Sequence, residues 1–63
     1  MTTETTRRVI RTGNDRLRGT VEIIQEGTRS FAVERSDLDG VYDRMEGFRT
    51  FKQAAEEFNC YRG

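Results

Sequence analysis

Cys60 is the chain's one thiol, and histidine is absent. Without an imidazole, the usual general base, the commonest metal ligand and the middle member of a Ser–His–Asp triad are all missing. Cys60 also falls on the outer face of the helix its neighbours predict, near the C-terminus, where the helix dipole disfavours a thiolate. It reads as an exposed thiol with no catalytic part. The stretch "DLDGVYD", residues 37–43, sets Asp37, Asp39 and Asp43 around Gly40 and superficially looks like a calcium loop. An EF-hand needs its third ligand two residues after the second, with glycine next; here Val41 holds the ligand position and Gly40 comes too early. A turn is the expectation. The glycines nowhere match a phosphate loop, and a domain this small seldom forms the cleft that paired catalytic carboxylates need. The chain is therefore expected to be non-enzymatic, with no catalytic residue, no metal and no cofactor.

Binding chemistry is better represented. Between Glu34 and Glu46 stand five acids and two arginines, interleaved with Leu38, Val41, Tyr42 and Met45. Acids mixed with an aromatic and a methionine suit a surface that docks on a basic, nucleic-acid-handling protein. Arg7, Arg8 and Arg11 could instead reach phosphate or an acidic patch. Eleven cations balance eleven acids overall, which argues against generic nucleic-acid binding, since that needs excess cations to displace phosphate counterions. The balance is uneven: residues 1–20 carry five arginines against two acids, a local net of +3, leaving −3 for the rest. Ten of the eleven cations are arginine, the side chain suited to planar, bidentate contacts.

These residues must be positioned by one small domain. Sixty-three residues bury only about 60% of the surface exposed by the unfolded chain, so dimerisation or a partner would add materially to stability. The Thr-rich "MTTETT", residues 1–6, is expected to be disordered, and residues 7–63 to form a single domain. "RRVIRT" predicts a short edge strand over 7–12, followed by a turn at Gly13–Asp15. "RLRGTVEIIQ" alternates, with Leu17, Gly19, Val21 and Ile23 on one face and Arg18, Thr20, Glu22 and Ile24 on the other. In "RSFAVERS", Phe31 and Val33 share a face, with Ser30, Ala32 and Glu34 opposite. To place all the large apolar residues together, odd residues must pair with odd. A three-residue loop ending on a left-handed Gly27 does this, setting Val21 opposite Phe31 and Arg18 opposite Glu34. "SDLDG" predicts a second turn, and "VYDRMEGF" a fourth strand with mixed faces.

"GFRTFKQAAEEF", residues 47–58, is the clearest element. Thr50 and Gln53 have capping-box spacing, so the helix starts at Phe51. Phe51, Ala54, Ala55, Phe58 and Tyr61 then occupy an arc of about 120°. The stripe reads as core, giving an α+β fold: a three- to four-stranded antiparallel meander with one C-terminal helix on the face of Val21, Ile23, Phe31 and Val33. The opposite face, with Ile24, Glu22, Glu34, Tyr42 and Arg44, is left for solvent or a partner.

"EGFRTFKQAAEEF" resembles the end of the arm-type DNA-binding domain of phage integrases, where a three-stranded sheet runs through a Gly–aromatic turn into a helix. In that family the sheet enters the DNA major groove. Here the corresponding face carries Glu22 and Glu34 beside Arg18, which would repel phosphate, so no binding residue is carried over. The preferred expectation is a protein-binding factor similar in build to phage or mobile-element inhibitors of the anti-CRISPR type. Its contact residues would be Glu22, Ile24, Glu34, Asp37, Asp39, Tyr42, Asp43 and Arg44. The alternative is a small DNA-binding module using Arg7, Arg8, Arg11 and Arg18. A homodimer joined through Ile24 and Tyr42 is a further expectation. A lone cysteine, the lack of an apolar leader and the lack of any membrane-length apolar run predict a soluble protein of the cytoplasm, the host's if phage-encoded.

Overall fold

The computed structural model describes residues 7–63; the expectation for residues 1–6 lies outside them. Four antiparallel strands, β1 (Arg8–Asn14), β2 (Thr20–Gly27), β3 (Ser30–Asp37) and β4 (Gly40–Phe48), form a meander in the order β1-β2-β3-β4. Helix α1 (Phe51–Tyr61) packs across one face, over β2, β3 and the near part of β4. This is the expected α+β architecture. Val21, Ile23, Phe31, Val33, Ala54 and Phe58 form the core, flanked by Ile10, Met45, Phe48, Ala55 and Tyr61. Phe51, at the start of the helical stripe, stays partly exposed.

Thr50 caps the helix as its spacing implies. Its side chain accepts from the Gln53 N–H at 3.2 Å, while the Gln53 side-chain Oε1 accepts from the Arg49 N–H at 2.9 Å. The returning bond thus reaches one residue further back than in a standard capping box.

The β2–β3 register differs from the expected one. Val21 lies opposite Arg35, Ile23 opposite Val33 and Gln25 opposite Phe31, and the connection between Gly27 and Ser30 is only two residues long. Odd still pairs with odd, because a bulge between Gln25 and Gly27 inserts Glu26 into the strand and supplies the parity assigned to the loop. Gly27 has no positive φ. Arg18 consequently pairs with Asp37 at 3.0 Å and not with Glu34. Leu17 is 73% exposed, not core. Gly19, at φ 71°, stands just before β2, so the expected strand does not reach back over Leu17; an added Cβ would lie 1.9 Å from the Ser36 carbonyl oxygen, so only glycine lets the loop pass this close to β3.

Bulges also explain the mixed faces of β4. Arg35 pairs with Asp43 and Ser36 with Val41, which makes Tyr42 the extra residue. A second irregularity between the pairs Val33–Met45 and Phe31–Phe48, at the positive φ of Gly47, lets both Met45 and Phe48 reach the core. In β1, a bulge at Ile10 does likewise. The strand runs on to Asn14, so the turn begins at Asp15 and not at Gly13.

Candidate interaction surface

Loop 15–19 and the two-residue turn Leu38–Asp39 meet at one end of the sheet. Asp15 is buried and accepts from Arg35 through Nε at 2.5 Å and Nη2 at 3.0 Å. It also accepts from the Leu17 N–H at 2.8 Å. The Arg35 guanidinium is stacked between the rings of Tyr61, 4.1 Å away, and Tyr42, 5.2 Å away. Hydrogen bonding from Arg35 holds the Asp15 carboxyl far below the usual carboxylate range, and Asp15 in turn raises Arg35. The Tyr42 hydroxyl donates to the Arg18 carbonyl at 3.1 Å, the Arg18 guanidinium lies 4.6 Å from the Tyr42 ring, and Asp37 accepts from the Asp39 N–H at 2.8 Å. The chain's last residues close this frame. Arg16 N–H donates to the Tyr61 carbonyl at 2.7 Å and Gly63 N–H to the Asn14 carbonyl at 2.8 Å.

The frame holds apolar side chains out of the protein. Leu38 is fully exposed at the turn tip, and Leu17 and Val41 are more than half exposed at the same end. Between loop and turn lies a shallow hollow of about 530 Å³, with Arg18, Thr20, Ser36 and Asp37 in its walls. Single exposed apolar residues are ordinary; several at one end, on a hydrogen-bonded frame, make a patch.

A second polar cluster occupies the face opposite the helix. Glu34 accepts from Arg7 at 2.7 and 3.1 Å and from Arg44. Glu26 joins the same two arginines at 3.3 and 2.7 Å, and Arg44 also reaches Glu46 at 2.9 Å. Arg7, foremost, holds the Glu34 carboxyl below its ordinary value. On this face Ile24 and Ala32 pair across β2 and β3 with no exposure at all.

Comparison with protein families, curated proteins and solved structures returns no match for the chain.

The residues expected to meet a partner thus divide. Asp37, Asp39 and Tyr42 come together at the loop end with Arg18, while Asp43 contacts Arg35 at 3.4 Å beside them. Glu34 and Arg44 belong to the network on the other face, and Glu22, opposite Glu34 in register, is half-buried there. Ile24 is buried and offers no contact area, because this face is not the open surface its alternation implied. With Ile24 covered and Tyr42 hydrogen-bonded within its own chain, that pair provides no sheet-to-sheet dimer contact. The arginines proposed for DNA do not share a face. Arg7 is engaged by Glu34 and Glu26, Arg18 by Asp37, Arg11 lies over the Phe51 ring at 5.2 Å, and Arg8 starts β1 at the far end. Leu17 was read as part of the core face and Leu38 as one of the apolar residues between Glu34 and Glu46; neither was among the expected contact residues. The available signal was a leucine at the centre of a turn otherwise made of Asp and Gly, where polar residues are the rule.

Proposed function

We propose that this chain is a non-enzymatic protein-binding factor that acts by covering part of a partner's surface through its loop end. The carrying observation is Leu38, fully exposed between Asp37 and Asp39 on a turn braced by Arg18 and Tyr42. A rigid tip of this kind binds without much ordering cost, and its apolar side chain gains by entering a hollow on the partner. The flanking acids suit a basic rim around that hollow, as nucleic-acid-handling proteins carry, and an inhibitor of the phage or mobile-element kind would work by such coverage alone. The test is capture from a nuclease-treated native extract, run in parallel with wild type and Leu38→Asp. A protein retained by wild type and lost by the variant, at unchanged circular dichroism, is the expected result; equal retention by both removes this surface from the reading.

The alternative, a small DNA-binding module, draws on a specific feature. Arg8, Arg29, Arg49 and Lys52 make no ion pair among the described residues, and they lie toward the end of the sheet away from Leu38. Mobility shifts at rising salt separate the two readings. Tight binding to duplex DNA at low salt that falls steeply with added salt would favour the module.

A further inference from the structure

The axis of helix α1 runs over β2, β3 and part of β4, and β1 is reached only by side chains, Phe58 at Gly13 and Phe51 at Arg11. Beside it a groove of about 580 Å³ runs along β1, with Arg11, Thr12, Gly13 and Asn14 on one side and Phe58 and Arg62 on the other. β1 is an edge strand, and its outer rim is already used at one end. Arg62 bridges Asp15 in antiparallel fashion, with Gly63 N–H donating to the Asn14 carbonyl and Arg16 N–H to the Tyr61 carbonyl. These bonds fix which groups face outward. Asn14 presents its carbonyl to the rim, and backbone groups alternate along a strand, so Thr12 presents its N–H and carbonyl the same way. Among the described residues nothing pairs with them.

We infer that the outer rim of β1 accepts an extended acidic peptide as a fifth, antiparallel strand, continuing the ladder that Arg62 and Gly63 begin. This surface is distinct from the leucine tip and does not depend on that reading. The occupant follows from charge and from the backbone. Arg8, Arg11 and Arg62 make no ion pair among the described residues, and Arg11 points to the groove side, over Phe51. A strand residue across from Arg11 therefore meets a guanidinium, while one across from Gly13 comes up beside Phe58 and Arg62, whose side chains lie over that glycine. A second copy of β1 fits poorly: antiparallel self-pairing would bring two sets of arginines together, and like charges directly opposite one another destabilise a ladder. Nucleic acid fits less well than peptide. Phosphates accept hydrogen bonds but donate none, leaving the outward carbonyl of Thr12 unanswered, whereas a peptide supplies both groups.

The test titrates the full chain with a nine-residue peptide alternating glutamate and valine. Amide resonances are followed by NMR, alongside the same peptide N-methylated at alternate residues, a short DNA duplex, and sedimentation of the protein alone. The expected result is saturable binding with the largest shifts at Arg11–Asn14. Arg11→Glu weakens it at least tenfold, and the N-methylated peptide loses it. Thr12→Pro, which removes the outward N–H at an edge position that tolerates proline, abolishes it while leaving the far-UV spectrum unchanged; the N-methyl comparison decides the matter if that variant does not fold. The inference is overturned by no binding at millimolar peptide, by equal binding of the N-methylated peptide, or by shifts away from β1. It is equally overturned by duplex DNA producing the same shifts more tightly, or by the free protein sedimenting as a dimer through β1.

Discussion

Asp15 and Glu34 are the two carboxylates that this small protein holds most firmly ionised, each through arginine. Breaking a buried pair such as Asp15–Arg35 typically costs about 3–5 kcal/mol, comparable to the whole stability of a domain this size. Both folded-state values lie below the unfolded ones, near 4. Their contribution is therefore complete above roughly that pH and is lost as pH falls through the lower folded values. Urea midpoints should stay level from pH 7 to about 5 and then drop in acid. Glu34→Gln should lower the neutral midpoint and make the acid drop shallower; an unchanged acid limb would contradict the Arg7 and Arg44 contacts. Gly19 is as unforgiving for steric reasons. Gly19→Ala, with Cβ driven onto the Ser36 carbonyl at a positive φ, should destabilise by more than about 1 kcal/mol on chemical denaturation. None of these pairings was visible in the sequence, because Asp15 and Arg35 stand twenty residues apart and meet only in the observed register.

At the level of elements, helix α1 was the most legible, and it supplies the largest fully buried side chain, Phe58. Phe58 is 1% exposed, so Phe58→Ala should cost about 3–5 kcal/mol and leave little folded protein at room temperature. Thr50→Ala removes one capping bond and should cost about 1 kcal/mol, leaving a folded protein with a lowered melting midpoint. Helical period and cap are local properties, which is why the helix bounds could be read directly. The strands were legible in number and order but not in detail. Alternation implies an unbroken pleat, whereas Ile10, Glu26 and Tyr42 each sit at an irregularity in their ladder, and another falls near Gly47. Each extra residue reverses which side chains face the helix beyond it, and no residue type announces a bulge as Asn-Gly announces a turn. The candidate surface suffered from this directly: Ile24 and Glu34 were placed on an open face that is in fact covered, while Leu38 needed no register to be noticed.

For the molecule as a whole, charge balance conceals a division of labour. Arg7, Arg18, Arg35 and Arg44 engage Asp15, Glu26, Glu34, Asp37, Asp43 and Glu46, so the acids are largely spent inside the fold and several surface cations are not. A neutral formal total therefore understates how positive the outer rim of β1 is. Leu38, by contrast, touches nothing that holds the fold together: Leu38→Asp should leave the melting midpoint within about 0.5 kcal/mol of wild type in calorimetry.

The meander also bears on how the chain reaches this shape. Every strand pairs with its neighbour in sequence, and the helix returns onto strands just made, so few long loops need closing before contacts accumulate. The sequence contains no proline, hence no slow imide isomers in the denatured pool. Stopped-flow refolding should be a single exponential whose amplitude is the same after brief and after prolonged denaturation. Such a chain would be ready soon after release from the ribosome, with no need of a prolyl isomerase.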